Sequence, residues 1–268
     1  INNLSEHNCI INRYLAEMRE LRVSKEPTPL PQQHQEIGEY EAFEISKTLN
    51  YENRDVTTPL GVAQVNFPTD KIVIGTIFRA GLPFHEGFLN IFDHPANAFV
   101  SAYREYTNKE HTEVGVHIEY LATPDLTGKT LIIADPMLAT GISMEMGMKA
   151  LLTKGTPKHI HVACVLASPE GIEHVKKTFP EDKTTIWCAS IDEGLNEHKY
   201  IIPGFGDAGD LATEASSKAE NGCTESHFRF TLHSSHFSAN LLTINTLKFR
   251  EESDFTRHHS SPLFTLSQ

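Results

Sequence analysis

"TLIIADPMLATGISMEMGMKALL", residues 130–152, holds the most informative pattern in the chain. The apolar run Thr130 to Ala134 reads as a buried strand and ends on an acid, Asp135. A short turn, Ala139-Thr140-Gly141-Ile142-Ser143, leads into residues spaced for an amphipathic helix. The order strand, turn, helix puts free backbone N–H groups and two hydroxyls at a helix N-terminus. Such an end attracts phosphate through its donors and the positive end of the helix dipole. Gly141 permits close backbone approach or a positive φ. Asp135 falls at the carboxyl end of its strand, where open α/β sheets bind ligands. A plain strand-turn-helix with Thr140 or Ser143 as N-cap would account for part of this stretch. The full Asp-Pro-x-x-Ala-Thr-Gly-x-Ser array is more specific. No Gly-Lys-Ser/Thr follows, so it is not a P-loop.

On either side, apolar runs alternate with helical stretches. Strands are predicted at 72–78, 97–103, 130–135, 159–168 and 184–190, with helices near 83–91, 143–154 and 169–178. Continuous apolar strands imply a sheet buried on both faces, and the alternation implies parallel crossovers. Earlier in the chain, a helix is predicted over 3–21, a Pro-rich connection over 24–33, a second helix over 35–49 and a hairpin near 61–67. These first 70 residues are expected to belong to the same domain as the α/β core at 71–215. Residues 216–268 are rich in Ser, Thr and His without a sustained period and read as a divergent tail, disordered or non-native.

The 268 residues carry a net charge of -12, which opposes a nucleic-acid binder because phosphate neutralisation needs clustered Lys and Arg. It leaves room for a small anion held by two arginines. No apolar run approaches the roughly 18 residues of a membrane span, and no secretory signal is visible. The four cysteines, Cys9, Cys164, Cys188 and Cys223, are scattered without a C-x-x-C, which reads as a reduced, cytoplasmic thiol set. Gly204-Phe-Gly206-Asp-Ala-Gly209 matches G-x-G-x-x-G. It follows the last strand and Pro203, so it is not read as a dinucleotide-binding turn. The histidine pairs His233/His236 and His258/His259 lack supporting Cys or acid spacing and read as solvated.

"DPMLATGIS", 135–143, resembles the phosphoribosyl diphosphate (PRPP) motif of the uracil phosphoribosyltransferases. The resemblance continues through "TIFRAGLPFHEG" (76–87), "YRE" (103–105), "LASPEGIEHV" (166–175) and "ASIDEGLNEHKYIIPGFGDAGD" (189–210). It covers 71–211 closely and the first 70 residues loosely. It implies an α/β, type I phosphoribosyltransferase fold: a central parallel sheet flanked by helices, with a hood over the active site. It also implies the reaction of uracil with PRPP to give UMP and pyrophosphate.

Carried over residue by residue, the resemblance assigns PRPP binding to Asp135, Pro136, Met137, Leu138, Ala139, Thr140, Gly141, Ile142 and Ser143. Ala139 to Ser143 would cradle the 5′-phosphate, and Asp135 would hold the ribose hydroxyls. Arg79 and Arg104 resemble pyrophosphate ligands, Arg104 on a loop that closes over PRPP. An exposed strand-end arginine is the plainer reading of Arg79. Ile201, Gly206 and Ala208 would read uracil through the main chain. Asp207 resembles a residue near both substrates, against a reading as a turn Asp that caps its own backbone. Asp135, Asp207 and Arg104 are the candidate catalytic residues. Mg²⁺ would travel with PRPP, since Asp135-Pro136 replaces the paired acids of other phosphoribosyltransferases.

The resemblance further implies a homodimer or homotetramer and leaves room for GTP as an effector. Asp192, Glu193 and Glu197 lie in the hood segment and read as structural. Ile142 stands where the family has a small residue. Either the backbone there is ordinary αR or phosphate affinity falls. The rival readings are a PRPP- or UMP-binding regulator without turnover, and a degenerate domain partnering a uridine kinase. The joint presence of Arg79, Arg104, Asp135 and Asp207 favours an enzyme.

Overall fold

Alternating burial along the strands organises the molecule. In β4 (Ile72–Phe78), Val73 faces one helical layer and Ile74 the other. In β7 (Thr130–Ala134), Leu131 and Ile133 face one side and Ile132 the other. β9 (His159–Ala167) repeats the pattern with Val162 and Cys164 against Ala163 and Val165. A sheet with two apolar faces must be covered twice, which forces a three-layer α/β arrangement. The computed structural model describes residues 1–20, 29–106 and 114–206, with side chains outside 29–31 and 102–117. These residues fall within one unit, Ile1–Gly222.

The remaining sheet strands are β5 (Ala96–Tyr106), β6 (Val114–Ala122), β8 (Met137–Leu138), β10 (Thr184–Ile191) and β1 (Asn2–Asn3). Their order is β1-β10-β9-β7-β4-β5-β6, with β8 added beside β9. All neighbours are parallel except β5 and β6. β5 leaves β4 on one side and β7 joins it on the other, so the chain reverses direction across the sheet between β4 and β7. That reversal opens a crevice at the strand carboxyl ends.

One face is covered by α1 (Ile10–Arg19), α2 (Pro29–Ser46) and α3 (Gly81–Ile91), through Leu15, Met18, Ile37, Ile45, Phe84 and Phe88. The other is covered by α4 (Ile142–Leu152) and α5 (Pro169–Thr178), through Met144, Met148, Leu151, Ile172 and Val175. α5 starts on Ser168, whose side chain accepts the Gly171 N–H, has Pro169 in its first turn, and ends on Lys176 and Lys177. Each feature complements the ends of the helix.

Several expectations shift. The helix predicted over 3–21 begins only at Ile10. Asn2–Asn3 pair with β10, and Leu4–Glu6 form a 3-10 turn. Sheet pairing there outweighs local periodicity. The hairpin is longer than its apolar alternation: β2 (Tyr51–Thr58) and β3 (Gly61–Pro68) form an almost wholly exposed ribbon. β6 was not anticipated, because an antiparallel edge strand after a charged stretch lacks the continuous apolar signature. The Pro-rich connection falls largely at 21–28, outside the described residues, and α2 already begins at Pro29. Proline is tolerated in a first helical turn, whose N–H groups have no helical partner. The 216–268 tail, with its histidines and Cys223, also lies outside the described residues.

Candidate active site

The crevice between β4 and β7 is built from two turns. Asp135 leaves β7 with its N–H donating to Ala163 O at 3.1 Å, and its side chain accepts the Met137 N–H at 3.4 Å. Pro136 O then accepts the Val165 and Leu166 N–H groups at 3.0 and 2.9 Å. The chain runs beside β9 as β8, with Met137 opposite Leu166 and Leu138 opposite Ala167. Met137 to Gly141, with Ser143 and Met144, line a small, open concavity.

Gly141 caps α4 with φ 79 and ψ -7, in the left-handed region. The side-chain N-cap of the plainer strand-turn-helix reading does not form. Thr140 Oγ1 instead accepts the Ile142 N–H at 3.4 Å. Gly141 carries the turn, so Ile142 sits in the first helical turn without a positive φ. Of the two alternatives posed for Ile142, the ordinary αR backbone is the one observed.

The turn rests on α5. Ser168, fully buried, donates from Oγ to Ala139 O at 2.6 Å while accepting the Gly171 N–H at 2.9 Å. A Cβ on Gly171 would lie 2.4 Å from Ala139 O and 2.5 Å from Leu138 O. A Cβ on Gly141 would lie 2.9 Å from His174 Cβ. His174 Nε2 meets Glu145 Oε2 at 2.6 Å, and Lys149 Nζ meets Glu145 Oε1 at 2.6 Å. Hydrogen bonds from Lys149 and then His174 hold the Glu145 carboxyl below its ordinary range.

The second turn, Arg79-Ala80-Gly81, joins β4 to α3 through a cis Phe78–Arg79 peptide. Arg79 is exposed. A Cβ on Gly81 would lie 3.2 Å from Ala134 O and 2.8 Å from Thr76 Cγ2, so this turn abuts the strand end that delivers Asp135. Behind it, His85 bonds Thr76 Oγ1 through Nδ1 and Asn97 Oδ1 through Nε2 at 3.0 Å. Burial keeps the His85 pKa below its ordinary value. An uncharged ring donating from Nε2 and accepting at Nδ1 satisfies both contacts. Arg104 lies within β5, opposite Val116, rather than on the expected loop; its side chain is outside the described set.

The hood segment starts at the same strand end. Asp192 N donates to Ala167 O at 2.9 Å, beside the Leu138 pairing. β11 (Gly194–Leu195) and β12 (Ile201–Ile202) then form a small antiparallel pair. Ile201 is buried in the core beneath it, and Gly206 is exposed at the end of the described hood. Asp207 and Ala208 lie outside the described residues. Gly204 and Gly206 have φ values of 56 and 96 after a cis Ile202–Pro203 bond.

Asp192, taken from the sequence as structural, is buried and bonded to Arg19 and to Gly204 N. Ser168, His85 and Arg19 were given no role from sequence. Ser168 and His85 lie inside motifs quoted there, but only their contacts single them out.

The sequence model of uracil phosphoribosyltransferase matches residues 4–212. A uracil phosphoribosyltransferase of Porphyromonas gingivalis is 52% identical over 210 residues, covering 78% of this chain and 96% of its own. One from Pyrococcus furiosus is 41% identical over 179 residues, covering 66% and 75%. Among solved structures, the AQ2163 protein of Aquifex aeolicus superposes with a TM-score of 0.70 at 29% identity, covering 79% of this chain and 98% of that one. With a glycine-capped turn at the switch point of a doubly wound sheet and a family match running from residue 4 to 212, the chain belongs to the uracil phosphoribosyltransferase family.

Proposed function

We propose that this protein transfers the phosphoribosyl group of PRPP to uracil, giving UMP and pyrophosphate. The observation that carries the reading is the Asp135-to-Ser143 turn, which ends in a left-handed Gly141 at the N-terminus of α4 and lies beside the Arg79 turn. In the reaction uracil N1 bonds to C1′ and gives up its proton. The C1′–O bond breaks, and pyrophosphate leaves with the bonding pair.

The main chain of Ala139 to Ser143, with the Thr140 and Ser143 hydroxyls, binds the 5′-phosphate. Asp135 accepts from the ribose hydroxyls, and its negative charge favours the cationic sugar of the transition state. Arg79 and Arg104 neutralise the departing pyrophosphate. Ile201, Gly206 and Ala208 present main-chain groups to the edge of uracil, and Asp207 lies close to both substrates. An amino group in place of a uracil carbonyl would face a backbone donor, costing about 1–3 kcal/mol for each polar group left unpaired.

Among the described residues, no three of His, Cys, Asp and Glu are grouped to enclose an ion. Asp135 is followed by Pro136 rather than a second acid. This donor set suits Mg²⁺ delivered on PRPP oxygens with its own waters, near Asp135. When bound, the ion neutralises charge on the leaving pyrophosphate.

Assembly as a homodimer or homotetramer is supported by the β2–β3 ribbon, where Leu60 is 99% and Val62 66% exposed. An isolated two-stranded ribbon is marginal in water without a partner surface. A cytoplasmic setting is supported by free thiols at Cys9, Cys164 and Cys188. No described helix is long and apolar enough to cross a membrane.

The test is formation of UMP from labelled uracil and PRPP with Mg²⁺, with and without GTP. Turnover supports the enzyme, and rate enhancement by GTP supports the effector. PRPP binding without UMP formation would overturn the enzymatic reading.

A further inference from the structure

The hood is tied to the N-terminal helix through one carboxylate. Arg19, the last residue of α1, sends both terminal guanidinium nitrogens to Asp192, at 2.6 Å to Oδ1 and 3.0 Å to Oδ2. The same Oδ2 accepts the Gly204 N–H at 2.9 Å, and Ser190 Oγ lies 3.5 Å from Oδ1. The Asp192 side chain is 4% exposed and that of Arg19 25%. A buried carboxylate is retained only where its lone pairs are satisfied, and a two-pronged guanidinium fixes its plane as well as its position.

Gly204 is the residue through which this reaches the turn. Its φ of 56 lies in the left-handed region, and a Cβ there would stand 2.3 Å from Ile201 O. That conformation turns the Gly204 N–H inward to Asp192, between the two described residues assigned to base reading, Ile201 and Gly206. Nothing in the sequence pairs Arg19 with Asp192, which are 173 positions apart.

We infer that Arg19 and Asp192 are positioning residues for uracil: the pair sets the Ile201–Gly206 turn in the orientation that reads the base. The inference rests on the reaction proposed above. Neither side chain needs to touch substrate. Asp192→Asn keeps the shape but turns an amide N–H₂ toward an Arg19 nitrogen in either orientation, and toward the Gly204 N–H as well in one of them, setting donor against donor. Arg19→Lys keeps the charge but loses the fork.

The experiment measures UMP formation for the wild type, Asp192→Asn, Arg19→Lys and the double variant, at a temperature where circular dichroism shows each folded. KM is determined for uracil and PRPP separately, with PRPP binding measured alone by calorimetry. The expected result is a rise in the uracil KM of roughly tenfold for each single variant, a less than additive effect in the double variant, and PRPP affinity within about twofold of wild type. An unchanged uracil KM, or uracil and PRPP constants that rise together, would overturn the proposal. If Asp192→Asn does not fold, Arg19→Lys carries the test alone by the same split. A wild type that makes no UMP would instead overturn the reaction.

Discussion

Ser168 Oγ donates a 2.6 Å hydrogen bond to Ala139 O and accepts the Gly171 N–H at 2.9 Å. One buried hydroxyl therefore caps α5 and anchors the turn proposed to hold the 5′-phosphate. Ser168→Ala leaves a buried carbonyl and a buried N–H unpaired, which lowers stability by about 1–3 kcal/mol. It also frees the turn, so the PRPP KM rises roughly tenfold while the uracil KM holds. Thermal unfolding and steady-state kinetics check the two effects separately, and Ser168→Thr recovers part of both.

Gly171→Ala acts on the same contact from the other side. Its methyl group would lie 2.4 Å from Ala139 O, so the turn or α5 must move. The expected outcome is a larger loss of PRPP binding than Ser168→Ala gives, measured by calorimetry. Ile142→Gly needs no such adjustment, since Ile142 already has ordinary helical backbone, and its effect on PRPP affinity stays within about threefold.

Asp135→Asn removes the charge proposed to face the ribose while keeping the side chain's shape. We expect kcat to fall by roughly 100-fold or more, because a charge facing a developing cation matters most in the transition state. Arg79→Ala is expected to raise the PRPP KM by roughly 10- to 100-fold, the weight of charge-assisted bonds to pyrophosphate. Full activity in either variant would remove that residue's assignment.

Stability should fall as pH drops below 6.5, where buried histidines must take up protons, and Glu41 should lower it on the alkaline side. Burial holds His34 at a pKa of about 4, and burial, with the neighbouring His159 adding to it, holds His161 at about 3. Both bind fewer protons folded than unfolded. Their stabilisation is complete above the ordinary value of 6.5 and is lost as pH falls from 6.5 toward 4 and 3, at about 1.4 kcal/mol per pH unit for each. Glu41, wholly buried in α2, has its pKa raised by desolvation. Its contribution is complete below 4.5 and declines as pH rises above it. His85 and His159, also held below their ordinary value by burial, add to the loss below 6.5, while Glu41 opposes the folded state as pH rises. Melting temperatures from pH 4.5 to 8 check this; Glu41→Gln should flatten the alkaline side.

A chain ending at residue 215 should keep kcat/KM within about twofold of the full chain, since the family match ends at residue 212. The UMP assay on both chains decides it. A large drop would give the tail a part in catalysis.

The sequence by itself determined the α/β sheet, the turn that leads from β7 into α4 and the order of the motifs around it. These are local properties: a strand buried on both faces shows as a continuous apolar run, and a turn that needs a left-handed residue shows as Gly141. The central strands accordingly lie within a few residues of their expected bounds. Local pattern failed at the edges. β1 replaces the predicted start of the first helix because Asn2 and Asn3 gain a partner in β10. β6 forms because β5 offers it an edge, and Arg104 consequently lies on a strand.

Only the tertiary structure decided what holds the site in shape. Ser168 with Ala139, His85 with Thr76 and Asn97, and Arg19 with Asp192 and Gly204 are contacts between different elements, from 9 to 173 positions apart. A helix or strand period records which face of an element is buried. It carries no information about which buried polar group on another element will satisfy it, because that partner is chosen by packing.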